Sequence, residues 1–219
     1  METNNLLHNT NIIAHVLFGS IALCLGLIAL LSKKGKTLHT KSGNLFLMCL
    51  IVVITTGLVG VFIFKRNSFL LVITVLSGYL GFSGYRVLKY KNNQPKLLDI
   101  AIALLTLASV SYFLYYFKSI GMIWSPIIIY STVGYLLFMI TYDFLRYLIP
   151  QSKYKNLWLY EHILKMVSAF SAILSAFSGT VFEDYQPYSQ FLPSTLGMVV
   201  AIGFMVYYAN KNKSLKRKI

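Results

Sequence analysis

Long apolar segments alternate with short polar connections along the whole chain. The first segment, Ile12 to Leu31, is twenty residues long and contains no Asp, Glu, Lys or Arg. At about 1.5 Å per residue, a helix of this length covers roughly 30 Å, the thickness of a membrane hydrocarbon core. Six more apolar segments follow, at 44–64, 68–87, 98–117, 123–147, 157–177 and 192–210. The pattern predicts an all-α polytopic membrane bundle of seven transmembrane helices that forms a single domain, 1–219.

The composition agrees with this class of protein. Hydrophobic residues make up 57% of the 219 residues and charged residues only 12%, which is too apolar for a soluble domain of this length. In a soluble protein a net charge of +14 would suggest a nucleic acid partner. Here the basic residues lie in short turns and in the tail, so they indicate topology and contacts with anionic lipids, not nucleic acid binding.

The distribution of lysine and arginine predicts the orientation of the bundle. In alternate connections, sixteen of the 20 basic residues lie on one side and three on the other, and Lys165 lies inside the sixth span. The cytoplasmic connections of membrane proteins contain the excess of positive charge. We therefore expect the short N-terminus, 1–11, on the outside and the basic tail, 211–219, in the cytoplasm.

The first two spans and the lysine-rich turn between them contain two candidate ligands. His15 lies on a face of the first span that otherwise contains small residues, namely Gly19, Ala22, Gly26 and Ala29. Such faces let helices approach closely, so His15 is expected to point into the bundle. In the turn, His39 precedes Gly43 by one helical turn if the second helix begins near Thr37. This spacing leaves room for a flat ring, such as a haem, although either histidine can instead be hydrogen-bonded within a packed helix pair.

Charged side chains in a bilayer cost about 2.5–3.5 kcal/mol each on insertion scales, so those that lie there are candidates for function. The predicted topology places eight polar residues from five helices at the cytoplasmic leaflet: His39, Arg86, Asp99, Asp143, Arg146, Glu161, His162 and Lys165. Glu161 and Lys165 are four residues apart and Asp143 and Arg146 three apart, so each pair can neutralise itself within one helix. His162 lies about 100° around its helix from Glu161, either as a ligand or as a packed core histidine.

Three motifs resemble a known family. They are the histidine that opens the first span, the turn KKGKTLHTKSG, and the segment EHILKM followed by SAFSAILSAF in the sixth span. In these motifs and in its layout the chain resembles a widespread family of uncharacterised bacterial multi-pass membrane proteins. The resemblance implies a helical bundle in the bacterial inner membrane and an interest in His15, His39 and His162, and it implies no activity.

These observations leave three hypotheses for the function. In the first, the protein binds a redox cofactor at the cytoplasmic leaflet, either a quinone or one haem b with His39 and His162 as axial ligands and His15 as a further candidate. In the second, it is a metal-dependent intramembrane hydrolase with His39, His162 and Asp143 or Glu161 as metal ligands. In the third, it is a transporter or a non-enzymatic partner protein that uses the polar face of the sixth span. The supporting polar residues of the site are expected to be Arg86, Asp99 and Lys165.

Overall fold

The fold is seen in a computed structural model that describes residues 2–64, 69–119, 121 and 126–216. Helices account for almost all of these residues, and the described part of the chain contains no β-strand. The α-helices are α1 (Glu2–Leu31), α2 (Thr37–Phe62), α3 (Phe69–Tyr90), α4 (Leu97–Ser119), α5 (Pro126–Leu145), α6 (Gln151–Tyr154), α7 (Leu157–Val181) and α8 (Tyr188–Lys216). Short 3-10 helices, Arg146–Leu148 and Glu183–Tyr185, follow α5 and α7.

Seven helices in the described residues are long and apolar enough to cross a membrane. They are α1 to α5, α7 and α8, so the prediction of an all-α multi-pass membrane bundle is confirmed at this level. The exception is α6, a single turn of four residues that connects α5 to α7. The sixth span of the sequence therefore corresponds to α7 and the seventh to α8.

The ends of several helices differ from the predicted spans. The segment 1–11, predicted as a short N-terminus, is helical from Glu2 because no Gly or Pro interrupts it before the first span. The C-terminal end of this segment contacts α2, because Asn11 Nδ2 donates to the Thr56 carbonyl at 3.0 Å. In the same way α8 continues to Lys216, into the predicted tail. The second helix begins at Thr37, the start that the spacing of His39 and Gly43 requires.

Glycines set the closest helix contacts. The face of small residues on α1 packs on α2 and α7, and Ala22 is fully buried there. A Cβ atom at Gly26 would overlap the Phe170 ring of α7. A Cβ atom on Gly81 of α3 would lie 2.8 Å from Leu50, and one on Gly84 would lie 3.1 Å from Lys165. Because α3 has no side chain at Gly84, α7 approaches its backbone closely enough for side-chain to backbone hydrogen bonds.

Candidate functional site

A buried cluster of four charges lies between α5 and α7. Asp143, Arg146, Glu161 and Lys165 are each at most 6% exposed, and Lys165 is completely buried. Arg146 Nη1 donates to Glu161 Oε2 at 2.8 Å, and Lys165 Nζ donates to Asp143 Oδ1. Both of these ion pairs join different helices. The pairs between residues three or four apart in the sequence are longer, at 3.5 Å for Arg146 with Asp143 and 3.8 Å for Lys165 with Glu161.

Three tyrosine hydroxyls form further hydrogen bonds with this cluster. Tyr79 of α3 donates to Asp143 Oδ2 at 2.7 Å, and Tyr142 donates to Glu161 Oε1 at 2.7 Å. Arg146 Nη1 donates at 3.2 Å to the hydroxyl of Tyr154, a buried residue of α6. Tyr154 lies outside the spans, and burial raises the pKa of its hydroxyl, so it stays protonated and neutral. The cluster therefore contains two acids, two bases and three neutral hydroxyls, and it has no net charge.

The contacts of this cluster are those expected of a structural ion-pair network. Paired charges with further hydrogen bonds are the form in which ionisable groups are tolerated in an apolar interior. The carboxylates of Asp143 and Glu161, predicted as metal ligands in the hydrolase hypothesis, are engaged with Lys165 and Arg146. Among the described residues, no three His, Cys, Asp or Glu side chains come together as a group that could hold a metal ion.

Arg86 and Asp99, predicted as supporting polar residues, form a separate ion pair between α3 and α4. Arg86 Nε donates to Asp99 Oδ1 at 2.5 Å, and Arg86 Nη1 donates to the Tyr90 hydroxyl at 3.0 Å. Both side chains are 12% exposed, so this pair is less buried than the cluster of Asp143 and Glu161. The eight polar residues expected to converge thus fall into three sets: the cluster, this pair, and the histidines. The pair borders the same small cavity as Asp143 and Arg146.

His39 and His162 line a common cavity of about 350 Å³. The cavity lies at the end of the bundle where α2 and α7 begin, which we call the histidine end. Its walls are mainly apolar and aromatic, and they include Phe46, Tyr85, Trp158, Met166, Phe170, Phe204 and Tyr208. A Cβ atom on Gly43, which also lines the cavity, would meet nothing within 4 Å. This is the open space beside His39 that the sequence predicts for a flat ligand.

The hydrogen bonds of the two imidazoles fix their tautomers. His39 Nδ1 lies 2.9 Å from the Ala29 carbonyl of α1, and His162 Nδ1 lies 3.1 Å from the Gly84 carbonyl of α3. A carbonyl oxygen only accepts hydrogen bonds, so each Nδ1 is the protonated donor. In the tautomer with the proton on Nδ1, the ring lone pair is on Nε2. This is the arrangement that proteins use to orient a histidine ligand, with a backbone carbonyl behind the ring and Nε2 available.

Lys34 is a residue of this cavity that the sequence analysis did not single out. Its Nζ donates to the carbonyls of Ala29 and Leu30 at the end of α1 and lies 4.5 Å from the centre of the Phe204 ring. Burial lowers the pKa of its ammonium group. The described residues that line the cavity include no Asp or Glu. The cavity therefore combines apolar walls with one cation and two imidazoles.

His15 does not line this cavity. Its Nδ1 is 2.9 Å from Thr56 Oγ1, which itself donates to the Val52 carbonyl at 2.7 Å, so the histidine donates and the threonine accepts. His15 and Ala29 are fourteen residues apart on α1, which separates His15 from the cavity by roughly 20 Å along the helix. The structure thus brings together two of the three histidines predicted to bind a cofactor.

Fold and site define a class: a multi-pass helical membrane bundle with an apolar cavity at one end and two oriented histidines in its wall. No family model matches the chain, and no curated protein and no solved structure matches it. The resemblance to a bacterial membrane protein family therefore stays a prediction, and a function has to be inferred from the geometry of the cavity.

Proposed function

We propose that this protein is a redox protein that binds one haem b in the cavity between His39 and His162. The observation that supports the proposal is that two imidazoles from different helices line one apolar cavity and both bond through Nδ1 to a backbone carbonyl. His39 and His162 would hold the haem iron through Nε2, because imidazole nitrogen is a common protein ligand of haem iron. Bound there, the haem would supply one-electron transfer.

The remaining walls of the cavity suit the same ligand. The aromatic and aliphatic side chains provide the apolar environment that a porphyrin ring needs, and Gly43 leaves the wall beside His39 open. Lys34 provides a cation, and haem has two carboxylates. A quinone is the alternative occupant. It also has a flat apolar ring, and its oxygens accept hydrogen bonds.

The orientation of the bundle in the membrane is part of the same proposal. Most of the basic residues lie in the connections at the histidine end, and the positive-inside rule assigns that end to the cytoplasm. The haem would then lie in the cytoplasmic leaflet of the bacterial inner membrane. Basic side chains around the cavity mouth, such as Lys33 and Lys36, would also contact anionic lipid headgroups.

The test is the visible spectrum of the purified protein. We expect a Soret band that shifts on reduction, about one iron per chain, and loss of most of the band in His39→Ala and His162→Ala. His15→Ala is the matched control, because this histidine is also partly buried in the bundle but lies outside the cavity, and it should keep the spectrum. A protein that binds no haem after expression with excess haem contradicts the proposal. Identification of a copurified quinone by mass spectrometry would then support the alternative.

A further inference from the structure

A second cavity lies at the opposite end of the bundle, where α5 and α8 begin. It has a volume of about 310 Å³ and is lined by residues of α3, α5, α7 and α8. It reaches Ser168, which is thirteen residues, or roughly 20 Å, from the end of α7 at Val181. The cavity therefore extends about halfway through the bundle, and it is separate from the histidine cavity.

Hydroxyl groups distinguish this cavity from the histidine cavity. Its lining includes seven hydroxyl side chains and one amide: Ser131, Thr132, Tyr135, Ser168, Ser171, Ser194, Thr195 and Gln190. The described residues that line it include no Asp, Glu, Lys, Arg or His. Apolar contacts come from Leu76, Ile128, Ala172, Phe191 and Met198. A ligand of this cavity would be uncharged, because none of these residues can neutralise a charge.

The hydrogen bonds of the lining favour a ligand that donates. Ser131, Ser171 and Thr195 donate their protons to carbonyls of their own helices, at 3.1, 2.9 and 3.2 Å, so towards a ligand their oxygens can act only as acceptors. Gln190 is 8% exposed, and its Oε1 is buried without a hydrogen-bond partner in the protein. A buried amide oxygen without a partner is unfavourable by about 1–3 kcal/mol, so a ligand donor that reached this oxygen would relieve that cost.

We infer that this cavity is a binding site for a small uncharged ring that carries hydroxyl donors, such as a phenolic head group or a sugar. The hydroxyl protons would bond to Gln190 Oε1 and to the serine and threonine oxygens, and the face of the ring would pack on Phe191 and Leu76. This site is independent of the haem, because its lining shares no residue with the histidine cavity.

Protection of introduced cysteines tests this site. Cys24 and Cys49, the two cysteines of the chain, are replaced by alanine, and Thr132→Cys or Ser194→Cys is added. The purified protein in detergent is labelled with a neutral hydrophilic methanethiosulfonate, and the rate is followed by mass spectrometry. Thr55→Cys is the matched control, because Thr55 is an exposed hydroxyl residue at a similar depth on α2. The probes are resorcinol, glucose and 1,3-dimethoxybenzene, which has the shape of resorcinol without its donors.

Resorcinol or glucose should slow the labelling of both cavity cysteines, whereas dimethoxybenzene should not, and the rate at Thr55→Cys should stay unchanged. Gln190→Leu should raise by about tenfold the concentration of resorcinol or glucose that is needed for protection, as expected for one lost hydrogen bond in an apolar site. Thr195→Val, an isosteric change at an exposed position, should raise it by a smaller factor. The inference is overturned if neither hydroxylated probe protects, if dimethoxybenzene protects equally, or if the cavity cysteines do not react. Protection by only one of the two hydroxylated probes distinguishes an aromatic ligand from a sugar.

Discussion

Two polar regions lie on adjacent faces of the N-terminal half of α7, and they differ in how their polar groups are satisfied. On one face, Glu161 and Lys165 are tied to α5 in a neutral cluster without room for a ligand. On the other face, His162 lies beside a cavity of about 350 Å³, with one ring nitrogen bonded to the backbone. We therefore interpret the buried charges as a structural feature, and the two imidazoles of the cavity, each bonded through Nδ1 to a backbone carbonyl, are the candidates for binding.

The largest expected effect comes from breaking the charged cluster. Glu161→Leu removes the acceptor of Arg146 and of Tyr142 and leaves the guanidinium buried without its closest partner. We expect a loss of about 3–5 kcal/mol in the free energy of unfolding, the usual effect of leaving one member of a buried ion pair unpaired. Thermal unfolding in detergent measures it.

Two further variants test the interpretation of the cluster. Asp143→Leu combined with Lys165→Met removes a whole pair, and it should be much less destabilising than either change alone because no charge is left unpaired. Asp99→Ala disrupts the more exposed pair with Arg86 and should cost about 1 kcal/mol or less. Wild-type stability in Glu161→Leu would show that the cluster does not stabilise the fold.

The sequence predicts the spans and the face of small residues on α1, and it singles out three histidines, of which two line the cavity. It does not predict how the charged residues pair. The seven helices follow from length and hydrophobicity, and the position of His39 one turn before Gly43 indicates the open wall beside it. The same sequence favours pairing of Glu161 with Lys165, because spacing along one helix shows only neighbours on that helix. The 2.8 Å contact of Glu161 with Arg146 depends on where α5 ends and how α6 turns the chain back, which no periodicity reports.

Assembly of a cavity from many helices is equally hard to predict. Lys34 is one of several lysines in its turn, and only the fold shows that its side chain reaches Phe204 on α8. The serines and threonines around Gln190 come from three helices, and each is unremarkable within its own segment. The N-terminal part of α1 differs from prediction for a simpler reason, because hydropathy detects the apolar part of a helix and not its polar extension.

An effect of intermediate size is expected for Lys34, the cation of the histidine cavity. If the ligand is haem, Lys34→Gln should weaken its binding by about tenfold through the loss of one charge-assisted contact with a carboxylate. Haem dimethyl ester, which has no free carboxylate, should bind equally to Lys34→Gln and the wild type. Titrations followed at the Soret band measure both affinities.

Lys36→Gln is the matched control for Lys34. Lys36 lies in the same turn and is exposed, and it does not line the cavity, so its substitution removes the same net charge without altering the wall. Equal weakening by the two substitutions would show that Lys34 acts only through the general positive potential of the turn. Weaker binding of the ester to Lys34→Gln would show instead that the substitution disturbs the end of α1.

The smallest effect is expected at Ser83, at the edge of the charged cluster. Its Oγ is buried without a hydrogen-bond partner in the protein, whereas Ser77, on the same helix and also buried, donates to the Thr74 carbonyl at 3.1 Å. Ser83→Ala should change the free energy of unfolding by less than about 0.5 kcal/mol, and Ser77→Ala should lower it by about 1 kcal/mol, because only the latter loses a hydrogen bond. Thermal unfolding of the two variants side by side removes the shared effect of alanine on helix propensity. If Ser83→Ala proves as destabilising as Ser77→Ala, the Ser83 hydroxyl is bonded in the protein, and the polar network around Asp143 and Arg146 extends further along α3 than the side-chain contacts indicate.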